Sequence, residues 1–577
     1  MKKTGRLVLL IVAILTWAGH LYAARTGDCF GFDSLRYFPD SGFLLFGLAF
    51  LILLAAGAWL PIDRYLEKFD STPAWLLVFA LWMAMLFFLK TSAPLLGDGL
   101  DRLSALPSGL MKMLRNQPAP LDLFAHWAVF RFWSSFEINS PYLSYALCSY
   151  LAGAFYFLAV FALGKKIFKP GAARSFFLLT LMAGGYAQLF AGYAENYSFL
   201  PAALVFWMSG ALESEKGRFW MLALGQLLLI VLHFFFILLL PVSLWLVWSK
   251  AGKKAWPWAA ALFAFGTAVL LLAFFIVHTN YRGPAIFLDL AAIASLPHLG
   301  DFFNYQMLSA PAFPLLVLGW IFVRKQTWTR AEKALAAASI IFLVFFFVLR
   351  PVLGAVRDWD LFSIPAMVYM PFLLVCVFRR VMADPKAARV LGVCAFLVSA
   401  FHTGSWLGLN HSEDRMVRRI SYHLEQRQER ERWASSYGFL TLAKYYRQGG
   451  RNGVADTAFQ KAIALNPGYS VNHQEYGFFL WSQGRYLEAV KQIAIAQGLN
   501  PTNPGIKKAL ANLYLAYAQA MVRLGRNDDA EKYLLKLLAL APDWPPAVSA
   551  LADFYQHTVP DPEKAKSYRK MLDRLPK

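Results

Sequence analysis

Three short acidic motifs in this sequence could carry chemistry. Within residues 1–410, Asp and Glu occur between long apolar stretches, and three of the connecting segments are compact and polar. Carboxylates collected at one end of a helical bundle can accept protons or bind cations. The pattern therefore predicts a catalytic or ion-binding site built from Gly97-Asp98-Gly99-Leu100-Asp101, Glu195-Asn196-Tyr197 and Arg357-Asp358-Trp359-Asp360.

The first two motifs supply the candidate catalytic carboxylates Asp98, Asp101 and Glu195. Asp98 precedes a stretch with helical apolar spacing, where a carboxylate could act as general base toward a hydroxyl group. The alternative is an N-cap, in which Asp98 or Asp101 accepts backbone N–H groups. Glu195 lies in a very short turn near hydrocarbon, where a charge usually faces the protein interior or an aqueous cavity. We therefore expect Glu195 to face the site.

The third motif predicts a metal site or a phosphate site. Carboxylates at positions i and i+2 of an extended segment project to one side, so Asp358 and Asp360 could ligate Mg²⁺ or Mn²⁺. The flanking Arg350 and Arg357 could instead hold a phosphate. A third interpretation is a solvated loop, in which Arg357 pairs with an aspartate and Trp359 lies in an interfacial aromatic belt. A divalent cation is the one cofactor that the sequence suggests.

Two further residues are candidates for binding the phosphate of a lipid. Arg282 opens the segment 279–310, and His233 interrupts a long apolar stretch. A lone histidine in such a stretch is more often a hydrogen-bonded packing residue, so the alternative for His233 is structural.

Long apolar stretches must hold these motifs in place. The chain is 58% hydrophobic, and stretches of about 17 residues or more recur, which is enough to cross about 30 Å of hydrocarbon. The first stretch could instead be a cleaved signal peptide. We expect a polytopic bundle of about thirteen spans, at 7–24, 43–61, 74–90, 143–163, 175–193, 198–212, 219–231, 234–248, 256–278, 311–323, 334–349, 361–378 and 387–407.

The charge distribution orients these spans. The formal net charge is +21, and Lys and Arg concentrate in short loops between apolar stretches, as the positive-inside rule describes. Membrane topology thus accounts for a charge that would otherwise suggest a nucleic-acid partner, and we expect no nucleic acid to bind. The bias places the N-terminus in the cytoplasm, and it places the acidic motifs and the residues after 408 on the outer side.

The outer segment 91–142 is too long for a simple turn. Residues 101–116 and 121–136 have helical apolar spacing, and prolines interrupt it between them. We expect amphipathic helices in the outer interface, with Trp127, Phe130 and Trp133 as anchors. The alternative is an external helical hairpin without a function.

Residues 436–577 contain a repeat of 34 residues. Small residues at fixed positions and a closing proline match the tetratricopeptide pattern of paired antiparallel helices. We expect about four units, two of them degenerate, after a helical linker at 411–435, and a concave face that binds a protein partner. The two regular units contain Ala443, Tyr446, Gly450, Ala455, Phe459, Ala462 and Pro467, and then Gly477, Leu480, Gly484, Ala489, Ile493, Ala496 and Pro501.

In layout, the chain resembles the GT-C class of integral-membrane glycosyltransferases. These enzymes take a sugar from a polyprenyl-phosphate or polyprenyl-diphosphate carrier on the outer face, and an acidic residue in the first large outer loop is the usual catalytic candidate. Gly97-Asp98-Gly99 and the helices expected at 101–136 match that layout. The domain order is also similar to that of O-mannosyltransferase-like proteins with C-terminal tetratricopeptide repeats. Many members place the key acid after the first span, whereas here it follows the third, so Asp101 stays an alternative to Asp98.

The resemblance implies a displacement at the anomeric carbon of the sugar. Asp98 would deprotonate the hydroxyl of a protein or glycan acceptor, while Arg282, Arg350 or Arg357 would stabilise the departing lipid phosphate. The repeats would present the acceptor or recruit a partner, and a bacterial inner membrane would supply the surrounding lipids. Two alternatives stay open: a transporter or flippase for a lipid-linked solute, and a non-catalytic envelope assembly scaffold.

Overall fold

The structure contains helices and no strands wherever it describes the chain. This computed structural model describes residues 3–27, 29–114, 119–280, 285–322, 327–381 and 384–575. It divides into a first unit, Met1–Ile420, and a second unit, Ser421–Lys577. Apolar helices make up most of the first unit and helical hairpins make up the second, which confirms the expected all-α class.

The first half of the first unit contains the first two acidic motifs. Short 3-10 helices at Asp33–Tyr37, Leu106–Ser108, Gly185–Phe190, Phe234–Leu239 and Gly252–Ala255 interrupt it. The α-helices are α1 (Lys3–Thr26), α2 (Asp40–Trp59), α3 (Ile62–Phe69), α4 (Thr72–Phe88), α5 (Gly99–Ala105), α6 (Leu110–Leu114), α7 (Pro120–Ser134), α8 (Pro141–Ile167), α9 (Ala172–Met182), α10 (Leu200–Ser214), α11 (Trp220–Leu232), α12 (Leu240–Ala251) and α13 (Trp256–Asn280).

The second half contains the third acidic motif and the most deeply buried helices. Nearly every residue of the last two long apolar helices, α19 and α20, is buried or half-buried. The helices are α14 (Leu290–Ile293), α15 (Leu296–Ser309), α16 (Phe313–Phe322), α17 (Arg330–Val348), α18 (Trp359–Phe362), α19 (Ile364–Val381), α20 (Pro385–Asn410) and α21 (Glu413–Arg427), the last of which continues into the second unit.

Fewer helices than expected are long enough to span a membrane. Among the described residues, α1, α2, α8, α17, α20 and the stretch of α18 and α19 qualify by length and apolarity, and the bent pairs α3–α4 and α15–α16 raise the number from six to eight. Helices α9 and α11 have 11 and 13 residues, so each rises only about 16–20 Å. Helix α9 ends before Gly184 and Gly185, short of the span expected at 175–193, whereas α11 ends at His233 as expected for 219–231. Six to eight helices or bent pairs among the described residues are long enough to span, against the thirteen spans expected.

The segment 91–142 is helical, as expected, but the first helix is shorter. It runs as α5, a 3-10 turn containing Pro107, and α6, because proline cannot continue the α-helical hydrogen bonding. Helix α7 buries one face that includes Phe130, so Phe130 packs inside rather than acting as an outward anchor. Residues 115–118 lie outside the described residues.

The second unit is a row of helical hairpins with the expected repeat. Gly477 packs so closely that a methyl group there would lie 2.6 Å from Ile493, which explains the small residue at this repeat position. Helix α26 has 20 residues where α24 has 13, and it therefore takes up the insertion in the third unit. The hairpins are α22 (Arg432–Gln448) with α23 (Asn452–Leu465), α24 (Ser470–Ser482) with α25 (Tyr486–Leu499), α26 (Pro504–Arg523) with α27 (Asn527–Leu540), and α28 (Pro545–Asp553) with α29 (Pro562–Asp573).

Candidate active site

The three acidic motifs meet around Gly97. The Gly97 N–H donates to the Arg357 carbonyl at 3.0 Å, and Arg357 Nη2 donates back to the Gly97 carbonyl at 2.7 Å. A methyl group on the Gly97 α-carbon would lie 2.5 Å from Glu195 Oε1 and 2.8 Å from Asp360 Oδ2. Gly97 also has a φ of +57°, a left-handed conformation that glycine adopts at little cost. The backbone of one motif thus fits between the side chains of the other two.

Glu195 is buried, and hydrogen bonds occupy both of its carboxylate oxygens. Oε1 accepts the backbone N–H of Asp98, and Oε2 accepts the backbone N–H of Asn196 at 3.2 Å. Arg102 Nε lies 3.4 Å from Oε2. Burial raises the pKa of Glu195 to about 8; the nearby charges of Asp360 and Asp98 add to the rise, and Arg102 opposes it. These contacts suit Glu195 to fixing the loop that carries Asp98.

Asp98 presents a more accessible carboxylate. Its side chain is 32% exposed, against 3% for that of Glu195. Asp98 stands at the N-cap position of α5, yet its side chain makes no capping hydrogen bond. Its Oδ2 lies 3.7 Å from Arg102 Nη2, and Asp101 is half-buried in the first turn of the same helix. The N-cap interpretation therefore does not describe the Asp98 side chain, whose carboxylate stays partly accessible.

Asp358 and Asp360 do not lie on an extended segment. Asp358 is the N-cap residue of α18 and Asp360 lies in its first turn, so the extended geometry assumed for a metal pair is wrong. Asp358 accepts the Leu353 N–H at 2.7 Å, and Asp360 accepts the Leu361 N–H at 2.8 Å and the Tyr193 hydroxyl at 3.0 Å. Within the described ranges, no group of three or more His, Cys, Asp or Glu side chains could hold a metal ion. This geometry does not favour a cation at the motif, and Mg²⁺ or Mn²⁺ stays a prediction.

The three candidate phosphate-binding arginines have different surroundings. The buried Arg357 guanidinium donates to the carbonyls of Leu95 and Gly97, at 3.3 and 2.7 Å, so it braces the loop before Asp98. Arg350 is half-buried, and its Nε has no hydrogen-bond partner among the described residues. Arg282 lies outside the described residues. Arg350 and Arg357 thus both stay candidates for binding a phosphate, and Arg357 also braces the loop before Asp98.

His233 lies at the break between two short apolar segments, as expected. It ends α11 and caps the following 3-10 helix, where its Nδ1 accepts the Phe235 N–H at 3.4 Å. Its ring centroid lies 5.6 Å from that of Tyr197, in the second acidic motif. Burial and the Arg102 charge lower the pKa of His233 to about 3, so that its imidazole is neutral. The structure thus places His233 beside the carboxylate group as a neutral ring.

Several residues at the site were not found from the sequence. Arg102 contacts both Asp98 and Glu195, and its position four residues after Asp98 on a helix was the available signal. A buried pair on α7, Asp122 and His126, was also missed. The Asp122 Oδ2 and His126 Nδ1 atoms lie 3.1 Å apart. The contact between Arg102 and Glu195 depends on tertiary packing, whereas the other two pairs are spaced four residues apart on a helix.

An apolar groove has two lining residues that are close in sequence to site residues. Its volume is about 420 Å³, and its walls come from α7, α8, α10 and α11, with almost no polar surface. Phe199 and Leu232 line it. Phe199 follows the turn that contains Glu195, and Leu232 immediately precedes His233. The groove therefore has Phe199 and Leu232 in common with the segments that carry Glu195 and His233.

Comparison with known proteins identifies the repeats and little else. Residues 391–576 match the tetratricopeptide repeat family. No curated protein matches the chain. The chain is similar to MamA (18% identity, 28% of this chain and 86% of that chain, TM-score 0.21) and to ArnT from Cupriavidus metallidurans bound to undecaprenyl phosphate (13% identity, 74% and 80%, TM-score 0.35). At this level of similarity neither likeness bears on the chemistry, and the second unit is identified as a tetratricopeptide solenoid.

Proposed function

We propose that the protein is a membrane glycosyltransferase of the GT-C type. It would move a sugar from a polyprenyl-phosphate donor to a protein or glycan acceptor. The observation that carries this proposal is the meeting of a partly accessible carboxylate, Asp98, with the buried Glu195, Asp360 and Arg102. The proposal also rests on the sequence layout that resembles this class.

In the proposed reaction, Asp98 acts as general base. It takes the proton of the acceptor hydroxyl, the hydroxyl oxygen bonds to the anomeric carbon, and the bond from that carbon to the phosphate oxygen breaks. The Glu195 carboxylate fixes the Asp98 backbone, and Arg102 lies between the two carboxylates. Arg350, or Arg282 beyond the described residues, would stabilise the departing lipid phosphate. No step requires the divalent cation.

The apolar groove would hold the isoprenoid chain of the donor. Its walls belong to apolar helices and expose almost no polar surface, which suits a hydrocarbon chain. The end near Phe199 and Leu232 would bring the lipid phosphate to the carboxylates. The tetratricopeptide unit would bind a protein partner or present the acceptor. We further propose that the site and the repeats face the outer side of a bacterial inner membrane, with the N-terminus in the cytoplasm.

A transfer assay with the purified protein tests the proposal. The protein is incubated with radiolabelled polyprenyl-phosphate sugars and candidate acceptors. We expect Asp98→Asn to lower turnover about 10²–10⁴-fold, the contribution of a general base, while the protein still folds. Asp40→Asn is the matched control, because Asp40 is exposed at the start of α2 and far in sequence from the three motifs.

The outcomes separate the three candidate functions. Turnover that Asp98→Asn removes supports the transferase. Movement of the lipid across vesicles without sugar transfer would identify a flippase, and neither activity would favour a scaffold. Full activity in Asp98→Asn would overturn the assignment of the base.

A further inference from the structure

Tyr193 connects the candidate site to a buried tryptophan. Its hydroxyl donates to Asp360 Oδ2 at 3.0 Å and accepts the Trp359 Nε1–H at 3.1 Å. All three side chains are buried. A tyrosine hydroxyl that both donates and accepts in this way has its own rotation fixed. The Asp360 carboxylate, beside Gly97 and Glu195, therefore accepts a hydrogen bond from the Tyr193 hydroxyl, whose orientation is fixed by its hydrogen bond from Trp359.

The contacts continue from Trp359 to the end of the first unit. The Trp359 and Trp406 rings meet edge to face, with centroids 5.6 Å apart at 80°. The Arg419 guanidinium lies 4.7 Å from the Trp406 centroid. Arg419 Nε also donates to Asp33 at 2.9 Å, and Arg419 is almost fully buried. Every member of this series is in ring or hydrogen-bond contact with the next.

We propose that Tyr193 is a positioning residue for Asp360, and that Trp359, Trp406 and Arg419 tie that position to helix α21. The proposal rests on the proposed transferase function and adds a route by which α21 affects it. Arg419 lies on α21, the helix that carries the chain from the first unit into the repeats. A shift of α21 would move Arg419 against Trp406, and the hydrogen bond from Trp359 to Tyr193 would change with it.

Double-mutant cycles distinguish a coupled series from ordinary packing. Tyr193→Phe removes only the hydroxyl, and Arg419→Lys keeps the charge near Asp33 but loses the planar group that stacks on Trp406. We expect each single variant to lower kcat about ten-fold while the KM for the donor changes little. The double variant should be roughly five-fold more active than the product of the two single effects predicts. Trp406→Phe serves as a second distal variant if Arg419→Lys does not fold.

Tyr186→Phe is the matched control. Tyr186 is also buried, and its hydroxyl contacts Tyr156 and the Leu181 carbonyl rather than the site. Its effect should multiply with that of Arg419→Lys, because the two positions share no partner. If the effects of Tyr193→Phe and Arg419→Lys on kcat also multiply, the proposal is overturned.

A second readout does not depend on transferase activity. The same cycles are measured by thermal unfolding in detergent, where coupling between Tyr193 and Arg419 should appear as a non-additive shift of the Tm of about 1–2 °C. If the wild-type protein transfers no sugar but this coupling is present, the proposed function fails and the series stands. If transfer is present and both cycles are additive, the series fails and the function stands.

Discussion

Replacing Gly97 by alanine should disrupt the site through both its backbone and its side-chain contacts. The φ of +57° makes a non-glycine residue costly by about 1–2 kcal/mol. The added methyl group would also lie 2.5 Å from Glu195 Oε1 and 2.8 Å from Asp360 Oδ2. Both carboxylates are buried and held by other donors, so neither can withdraw freely. Such overpacking costs about 1–3 kcal/mol.

We therefore expect Gly97→Ala to lower the free energy of unfolding by about 2–5 kcal/mol and to reduce transfer strongly. The measurement is chemical unfolding in detergent micelles, followed by tryptophan fluorescence, together with the transfer assay. Gly217→Ala is the control, because Gly217 has a φ of +79° and no atom within 4 Å of the added methyl position. It should show only the conformational cost, about 1–2 kcal/mol.

The comparison of the two variants isolates the contacts with the carboxylates. If Gly97→Ala is no less stable than Gly217→Ala and keeps full activity, the two carboxylates do not converge on Gly97. The description of the site as three interlocked motifs would then be wrong.

Three further predictions concern other parts of the protein. Because the pKa of Glu195 is raised to about 8 in the folded protein, its protonation contributes stability that is complete below about pH 4.5 and declines up to about pH 8. In thermal unfolding, Glu195→Gln should flatten the dependence of stability on pH in this range, and an unchanged slope would contradict the raised pKa. Ala159→Phe should fill the apolar groove and raise the KM for long-chain donors several-fold, with little change in the KM for short-chain donors. Equal effects on both donors would show that the groove does not bind the isoprenoid chain. Gly477→Ala should lower the stability of the second unit by about 1–3 kcal/mol through its contact with Ile493, whereas Gly498→Ala, with no atom nearby, should not.

Local sequence patterns predicted the positions of the helices better than they predicted the lengths of those helices. Apolar stretches identified most helices of the first unit but not α3, α14 or α15, because burial in lipid or in a core requires apolar side chains in either case. The length of the span expected at 175–193 was overestimated, because α9 ends at Met182, before Gly184 and Gly185. An apolar stretch alone does not distinguish a membrane span from a shorter buried helix, so thirteen spans were expected. Among the described residues, six to eight helices or bent helix pairs are long enough to span.

The sequence predicted several residues of the candidate site but not the contacts between them. Acidic residues in short loops indicated where charge had to be managed, and the structure brings Asp98, Glu195 and Asp360 together. The role expected for Arg357 changed, because its guanidinium donates to backbone carbonyls of the neighbouring loop. The partnership of Arg102 with two carboxylates depends on how α5 packs against the turn at Glu195, and no local pattern encodes that packing.

The distances along the chain between the site residues have a consequence for biogenesis. The bond between Asp98 and Glu195 joins residues 97 positions apart, and the bond between Arg357 and Leu95 joins residues 262 positions apart. A ribosome must therefore synthesise α17 and the loop after it before Gly97 can acquire its Arg357 neighbour. A chain halted or cleaved before that point would contain Asp98 and the apolar groove but would lack Asp360. The candidate site therefore assembles only after most of the first unit has been synthesised.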